Sequence, residues 1–377
     1  MNDSNKPRAL SRRQLLVLAG TGGLGFRALA LRPFRPEDQP HAPSHAHLKD
    51  FVPKIRTPDV DQRKIVEKRE NVRHRVHAKL RKRKLQVARS SNAGSYAKDT
   101  GLRRYMYGNT KIGGSDIDLP FILTARSGDH LDLKALLDLF EEIVHECYPR
   151  SDVTQTKSSI KLKFRTFKYP IDIVPMVAAR DDPEREYLFR ADGRKILTSV
   201  SEHVKFVKNR TARSADSGTV RFNDMVRLFK WWRELHATSD VVLRQTHTFL
   251  VELLCAKAFD EHGVATSYTQ TLHTWFNAIA RTVTERRPVQ FDSKPRRAGG
   301  GWVVLDPVSP ENNVVPEMWG DPQLDQLAQW FWEGAAALQR IQERDADHDG
   351  KGALRELQTL FGPAIGNLWL LEELDFA

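Results

Sequence analysis

Two aspartates stand two residues apart in Gly113-Gly114-Ser115-Asp116-Ile117-Asp118-Leu119-Pro120-Phe121-Ile122-Leu123. The alternation predicts a strand, with Asp116 and Asp118 on one face and Ile117, Leu119 and Phe121 on the other. Two carboxylates that close repel each other unless a cation lies between them, so the spacing suits a divalent metal. A third carboxylate follows on a predicted hairpin. Ile160, Leu162 and Phe164 alternate with Lys161, Lys163 and Arg165, and the returning strand Tyr169-Pro170-Ile171-Asp172-Ile173-Val174-Pro175 embeds one aspartate in an apolar run. An unpaired buried aspartate is costly. Asp172 therefore either ligates a metal or reaches a basic partner, and spacing alone leaves both open. Three carboxylates offering only oxygen suit magnesium, and two such ions about 3.5–4 Å apart can activate an attacking hydroxyl and neutralise a leaving pyrophosphate.

Upstream lies Ser91-Asn92-Ala93-Gly94-Ser95-Tyr96. Gly94 lets backbone approach a phosphate closely, and Ser95 offers a hydroxyl and an N–H at a predicted helix start. An ordinary turn would carry the same Gly-Ser pair. The elements that must position these residues begin with a charged, Gly- and Pro-free stretch from Val60 to Val87, which predicts a long surface helix. Later, Phe222, Met225, Val226, Phe229 and Trp232 form a helical core stripe that leaves Lys230 off it.

A chain of 377 residues with 40% hydrophobic and 28% charged residues can bury a substantial core and suggests two packed lobes. The net charge of +11 points toward anionic partners, polyphosphates and nucleic acids first. Much of the excess lies near the N-terminus and in the run Arg63 to Lys84, where Arg81-Lys82-Arg83-Lys84 also fits a solvated helix face. Cys147 and Cys255 have no partner at metal-ligand spacing and read as buried small hydrophobes, so neither a disulfide framework nor a zinc module is encoded. Ser11-Arg12-Arg13-Gln14-Leu15-Leu16 is a twin-arginine pattern, followed by an apolar Gly-rich stretch too short to span a membrane and by Ala28-Leu29-Ala30. Residues 32–49, with Pro33, Pro36, Pro40 and Pro43, read as linker, which places the start of the fold near Leu48.

Taken together, Gly94-Ser95, Asp116-Ile117-Asp118 and Asp172 resemble the signature of the polymerase-beta-like nucleotidyltransferase superfamily. The fuller strings, Gly94-Ser95-Tyr96-Ala97-Lys98-Asp99-Thr100 and Ile171-Asp172-Ile173-Val174-Pro175, resemble the cGAS/DncV-like nucleotidyltransferases, the oligonucleotide cyclases of anti-phage CBASS systems. The resemblance runs from about Leu48 to Gly362. It implies an α+β architecture, with a mixed-sheet nucleotidyltransferase lobe over 48–200 and a helical lobe, similar to that of oligoadenylate synthases, over 201–377. Residues 1–47 are leader and linker.

The same resemblance implies catalytic and metal-binding roles for Asp116, Asp118 and Asp172, magnesium as cofactor with manganese able to substitute, and triphosphate binding by Gly94, Ser95 and Lys230. Lys230 lies in Phe222-Asn223-Asp224-Met225-Val226-Arg227-Leu228-Phe229-Lys230-Trp231-Trp232, similar to the family helix whose lysine contacts the donor triphosphate. Thr248 stands where relatives often have a phosphate-contacting serine. Leu305-Asp306-Pro307-Val308-Ser309-Pro310-Glu311-Asn312-Asn313-Val314 is similar to a segment of 2′-5′-oligoadenylate synthases and implies a structural turn beside the site. The separation of Ser95 from Asp116 makes Gly101 to Gly114 an insertion near the nucleotide.

The expected function is synthesis of a cyclic di- or trinucleotide messenger from nucleoside triphosphates, acting through a separate effector, with no stable nucleic-acid partner required. The alternatives are a linear template-independent polymerase of the tRNA or poly(A) type and, outside enzymes, a nucleic-acid-binding module. Arg27 within the apolar stretch and the need for nucleoside triphosphates favour the cytoplasm over twin-arginine export. Asp345-Ala346-Asp347-His348-Asp349-Gly350 with Glu356 satisfies the calcium-loop pattern of an EF-hand. Gly352 occupies its apolar position and no second loop follows, so a polar connection between two helices, Leu327 to Arg344 and Ala353 to Phe361, is the expectation.

Overall fold

The computed structural model describes residues 42–107, 110–112, 114, 117–128, 132–189, 193, 195–292 and 301–367. Helix α1 (Pro43–Ile55) is followed by α2 (Asp59–Lys82), β1 (Val87–Arg89), α3 (Gly94–Ala97), β2 (Tyr105–Tyr107), β3 (Thr110–Ile112) and β4 (Ile117–Leu123). The chain continues through α4 (Ala125–Gly128), α5 (Leu133–Cys147), β5 (Asp152–Gln155), β6 (Ile160–Phe164), β7 (Phe167–Ala178), β8 (Glu186–Phe189) and β9 (Lys195–Thr198). Then come α6 (Val200–Arg213), α7 (Phe222–His236), α8 (Val241–Gln245), α9 (Thr248–His262), α10 (Tyr268–Thr284), α11 (Asp321–Ala346) and α12 (Gly350–Phe361).

The main sheet has the order β1-β4-β7-β6-β5, and β8 and β9 extend it from the far end of β7. β7 is long enough to pair with β4 along one edge and with β6 and then β8 along the other. One sheet face buries Ile117, Leu119, Phe121, Ile171 and Ile173 against α2 and α5, which contribute Ile65, Val72, Val76 and Leu80, and Leu136, Phe140 and Ile143. Alternation then forces Asp118 and Asp172 to the opposite face.

The second core belongs to the helices. α7 is enclosed on nearly every side: Phe229 stacks on Phe276 with ring centroids 4.4 Å apart, Trp231 meets Phe51 edge-on, and the Trp231 indole N–H donates to the Phe361 carbonyl at 2.9 Å. Leu48, Phe51, Val52 and Ile55 of α1 lie in this helical core. From α1 onward the described chain therefore leaves the helical body, crosses to the sheet through α2 and returns at α6, so a single cut near residue 200 does not separate the two cores.

Three elements differ from the sequence reading. Residues 43–47, expected in the linker, are the first turns of α1: Pro43 sits at a position where a missing N–H costs nothing, and Ser44 and His45 are buried. Ser44 Oγ bonds Thr269 at 2.7 Å and the Asp345 carboxylate, and His45 Nδ1 accepts from the Tyr268 N–H at 3.1 Å. α2 stops at Lys82 rather than Val87, because Lys84 adopts φ +61° and the Leu85 N–H turns back to the Leu80 carbonyl at 3.0 Å. That closure normally falls to glycine, so no sequence signal marks it. The 101–114 insertion contains the β2–β3 hairpin and buries Leu102 and Tyr105 in the helical core.

The EF-hand-like segment is mostly helix, as α11 runs through Ala346 and α12 begins at Gly350. Its carboxylates have other tasks: Asp345 holds Ser44, Asp349 accepts from the Gly352 N–H at 2.8 Å as the α12 cap, and Glu356 pairs with Arg340 at 3.0 Å. Both cysteines are free and buried. Among the described residues no helix is long and apolar enough to cross a membrane.

Candidate active site

β4 and β7 run parallel with Asp118 directly opposite Asp172, Ile117 opposite Ile171 and Leu119 opposite Ile173. Neighbours in a parallel register point the same way, so two carboxylates from segments more than fifty residues apart stand side by side. Asp172 also lies 3.5 Å from the Lys161 ammonium, which β6 delivers across the other edge of β7. Both branches left open by the sequence are thus present: a carboxylate neighbour that invites a cation and a basic partner that tempers the charge. Asp116 lies outside the described residues. So do residues 1–41, with the twin-arginine pattern and Arg27.

Gly94 sets the distance between this face and the loop that precedes β2. Its φ is +68°, and a Cβ built on it would fall 1.7 Å from Asp118 Oδ2. Only glycine meets both conditions. The loop backbone therefore lies directly against the Asp118 carboxylate, and Ser95 follows in the short helix α3.

Gly94, Ser95, Asp118, Asp172, Lys230 and Thr248 all line one cavity of about 590 Å3 between the sheet face and the helices. Its apolar wall includes Val174, Met176, Leu188 and Ile196, while Thr248 opens α9 at the rim. The first N–H groups of that helix have no intrahelical partner, which favours anions there.

Lys230 stands off the apolar stripe of α7 yet is only 4% exposed, because α7 also buries a polar face against the 98–100 loop. Along that face Asn223 and Arg227 reach Asp99 at 2.9 and 2.6 Å, and Lys230 Nζ donates to Thr100 Oγ1 at 2.9 Å and Glu252 Oε2 at 3.3 Å. Glu252 Oε1 accepts from Lys98 at 2.5 Å. Burial lowers the Lys230 pKa, opposed by Glu252 and reinforced by Lys98. For Glu252, burial acts upward, and the two ammonium groups outweigh it to hold the carboxyl below its usual range.

The sequence reading assigned no role to Lys98, Glu252, His203 or Asp306, all of which line the cavity. A usable signal existed for Glu252, a lone carboxylate in the apolar run Phe249-Leu250-Val251-Glu252-Leu253-Leu254, which demands a cationic partner. His203 Nε2 sits 3.1 Å from Thr198 Oγ1 and 3.5 Å from Asp306 Oδ1, and its pKa is lowered chiefly by burial. Asp306 also accepts from the Val308 and Ser309 N–H groups at 2.8 and 3.1 Å, and Ser309 Oγ donates to the Leu197 carbonyl at 2.6 Å. The 305–314 segment is thus a turn docked on β9 at the cavity wall.

Residues 43–209 match the model of the Second Messenger Oligonucleotide or Dinucleotide Synthetase (SMODS) domain. Through that domain the chain resembles the cGAS/DncV-like nucleotidyltransferases. It is a nucleotidyltransferase. The chain is 29% identical over 231 residues to a cyclic AMP-AMP-AMP synthase of Escherichia coli (strain MS 115-1), covering 59% of this chain and 67% of that protein. The same fold is seen in the solved structure of E. coli MS115-1 CdnC with ATP, at 24% identity and a TM-score of 0.70, covering 85% of this chain and 98% of that one. It recurs in the E. coli MS115-1 CdnC:HORMA-deltaN complex, at 22% identity and a TM-score of 0.68, covering 86% and 97%. The sheet lobe and helical lobe of this nucleotidyltransferase are the α+β arrangement the sequence implied.

The family generally uses divalent metal ions. Asp118 and Asp172 fit such an ion: they offer only carboxylate oxygens, share one sheet face, open on the cavity and already stand opposite each other in register. Among the described residues no cluster of three His, Cys, Asp or Glu side chains is gathered, and Asp116 is not one of those residues.

Proposed function

We propose that this nucleotidyltransferase builds a cyclic di- or trinucleotide messenger from nucleoside triphosphates, with Asp116, Asp118 and Asp172 holding two magnesium ions and Gly94, Ser95, Lys230 and Thr248 receiving the donor triphosphate. The observation that carries this reading is the Asp118–Asp172 register with Gly94 backed against Asp118, because it brings a carboxylate pair and a phosphate-compatible loop into one cavity. In each step a ribose hydroxyl oxygen loses its proton and bonds to the donor α-phosphorus while the bond to the β-phosphate oxygen breaks and pyrophosphate leaves. A last step of the same kind joins the ends. Bound magnesium supplies charge neutralisation at the pyrophosphate and a lowered pKa at the attacking hydroxyl. Manganese can take its place.

The chain's own residues orient and screen. Lys230, kept charged beside Glu252, gives point-charge attraction to phosphate oxygens. Val174, Met176, Leu188 and Ile196 offer a dry wall for a nucleobase. The relative named as a cyclic AMP-AMP-AMP synthase supports ATP as a substrate, and the CdnC:HORMA-deltaN complex supports a protein partner for this chain as well. Release of a messenger to a separate effector in anti-phage defence, in the cytoplasm where nucleoside triphosphates are made, completes the reading.

The test is incubation of purified protein with labelled ATP, alone and with the other triphosphates, and with magnesium or manganese. Pyrophosphate and a phosphatase-resistant oligonucleotide are expected. A product fully degraded from a terminal phosphate would replace cyclisation by linear polymerisation, and nucleic-acid binding without pyrophosphate release would overturn the enzymatic reading for this site.

A further inference from the structure

Three charged side chains from three separate elements meet at the inner end of the cavity with almost no exposure: Lys98 at 8%, Lys230 at 4% and Glu252 at 2%. Glu252 divides its carboxylate between them, Oε1 to Lys98 at 2.5 Å and Oε2 to Lys230 at 3.3 Å. We infer that Glu252 is a positioning residue of the nucleotidyltransferase reaction: it keeps two buried ammonium groups protonated and fixed so that they face the donor triphosphate together. This rests on the placement of the triphosphate in this cavity.

Two ammonium groups so close, and removed from water, would not both stay charged without a shared counter-ion. A lysine relieved of its counter-charge in a dry site releases its proton readily. One carboxylate between two lysines leaves a net charge of +1, so the array retains attraction for a polyphosphate while remaining buried. The second hydrogen bond from Lys230, to Thr100 Oγ1 at 2.9 Å, fixes its direction, and Lys98 lies 5.0 Å over the Phe249 ring. Packing also limits movement, since α7 is gripped to the 98–100 loop by Asn223 and Arg227.

The charged and titratable groups facing the array come from five places. They are Lys98 on the loop, Lys230 on α7, Glu252 and the buried Cys255 thiol on α9, His203 on α6, and its partner Asp306 on the 305–314 turn. Cys255 is pushed well above its ordinary pKa by burial, and His203 below its own, also chiefly by burial, so neither supplies a charge near neutral pH. The compensation falls to Glu252.

Binding of a non-hydrolysable ATP analogue with magnesium, followed by calorimetry from pH 7 to 9, tests this together with steady-state kinetics. In the wild type the affinity should be nearly flat across this range. In Glu252→Gln, one lysine should lose its proton within the range, so Kd and KM should climb toward tenfold per pH unit while kcat falls less. Glu252→Asp keeps the charge and should restore the flat profile at a raised KM. Lys98→Met combined with Glu252→Gln removes the repulsion and should flatten the profile again. A Glu252→Gln profile parallel to wild type in a folded protein overturns the inference. If Glu252→Gln does not fold, 15N spectra of lysine-labelled wild type decide it: two ammonium signals persisting at pH 8 are expected, and a neutral amine in the array overturns it. Failure of the wild type to bind the analogue would instead overturn the triphosphate placement, and this inference with it.

Discussion

Gly94→Ala is the sharpest perturbation of the site. The added methyl carbon would lie 1.7 Å from Asp118 Oδ2 and 2.8 Å from its Cγ, distances that no packed protein sustains, so either the carboxylate or the loop must retreat by more than an ångström. A second cost is local, because alanine at φ +68° occupies the left-handed region at about 1–2 kcal/mol. Stability should therefore fall by only that amount, since Asp118 can swing into the cavity rather than into the core. Catalysis should suffer more. A misplacement of about 1 Å at a reacting centre costs on the order of 100-fold, so turnover measured as pyrophosphate release should drop by at least that factor while the melting temperature falls a few degrees. A Gly94→Ala protein with wild-type turnover would refute the claim that the Asp118 carboxylate works where the structure puts it.

Asp118→Asn combined with Asp172→Asn should abolish pyrophosphate release, a loss of about 1,000-fold or more corresponding to roughly 4 kcal/mol of barrier. Its melt should stay within a few degrees of wild type, and retained turnover would exclude this carboxylate pair. A chain beginning at Leu48 should melt below one beginning at Pro43, because losing Ser44 strands Asp345 and Thr269 at about 1–3 kcal/mol; identical melts would show the first helical turns of α1 to be dispensable. His45, His203, His236 and His273 all have pKa values lowered chiefly by burial. The unfolded chain takes up these protons first, so their contribution is intact above about pH 6.5 and is lost as pH falls through the lowered folded values. The melting temperature should drop between pH 7 and 5.5, and a rise over that interval would contradict the burial of these rings.

Local pattern carried much of this architecture. The strand Ile117–Leu123, the hairpin leading to Asp172 and the long helix α2 were legible because each declares itself locally through alternation or the absence of breakers. What stayed hidden was non-local. No spacing rule places Asp118 opposite Asp172, since the parallel register is set by how two distant strands share one hydrophobic face with α2 and α5. The burial of Lys230 was hidden for the same reason, since a position off the apolar stripe reads as wet, whereas α7 has apolar neighbours on one side and the Asp99–Thr100 loop on the other. Pro43 hid the start of α1 because proline signals both a linker and a favourable first helical turn. The lobe boundary blurred for a topological reason, as α1 precedes the sheet in sequence yet packs among the later helices.

The most direct test of the central claim is a crystal structure of this nucleotidyltransferase with manganese and a non-hydrolysable ATP analogue, with the metal located by its anomalous scattering. Manganese bound by carboxylate oxygens of Asp116, Asp118 and Asp172 is expected, with the triphosphate running from Ser95 toward Lys230. Metal seated in the Asp345–Glu356 segment, or nucleotide bound away from the Asp118–Asp172 face, would contradict it.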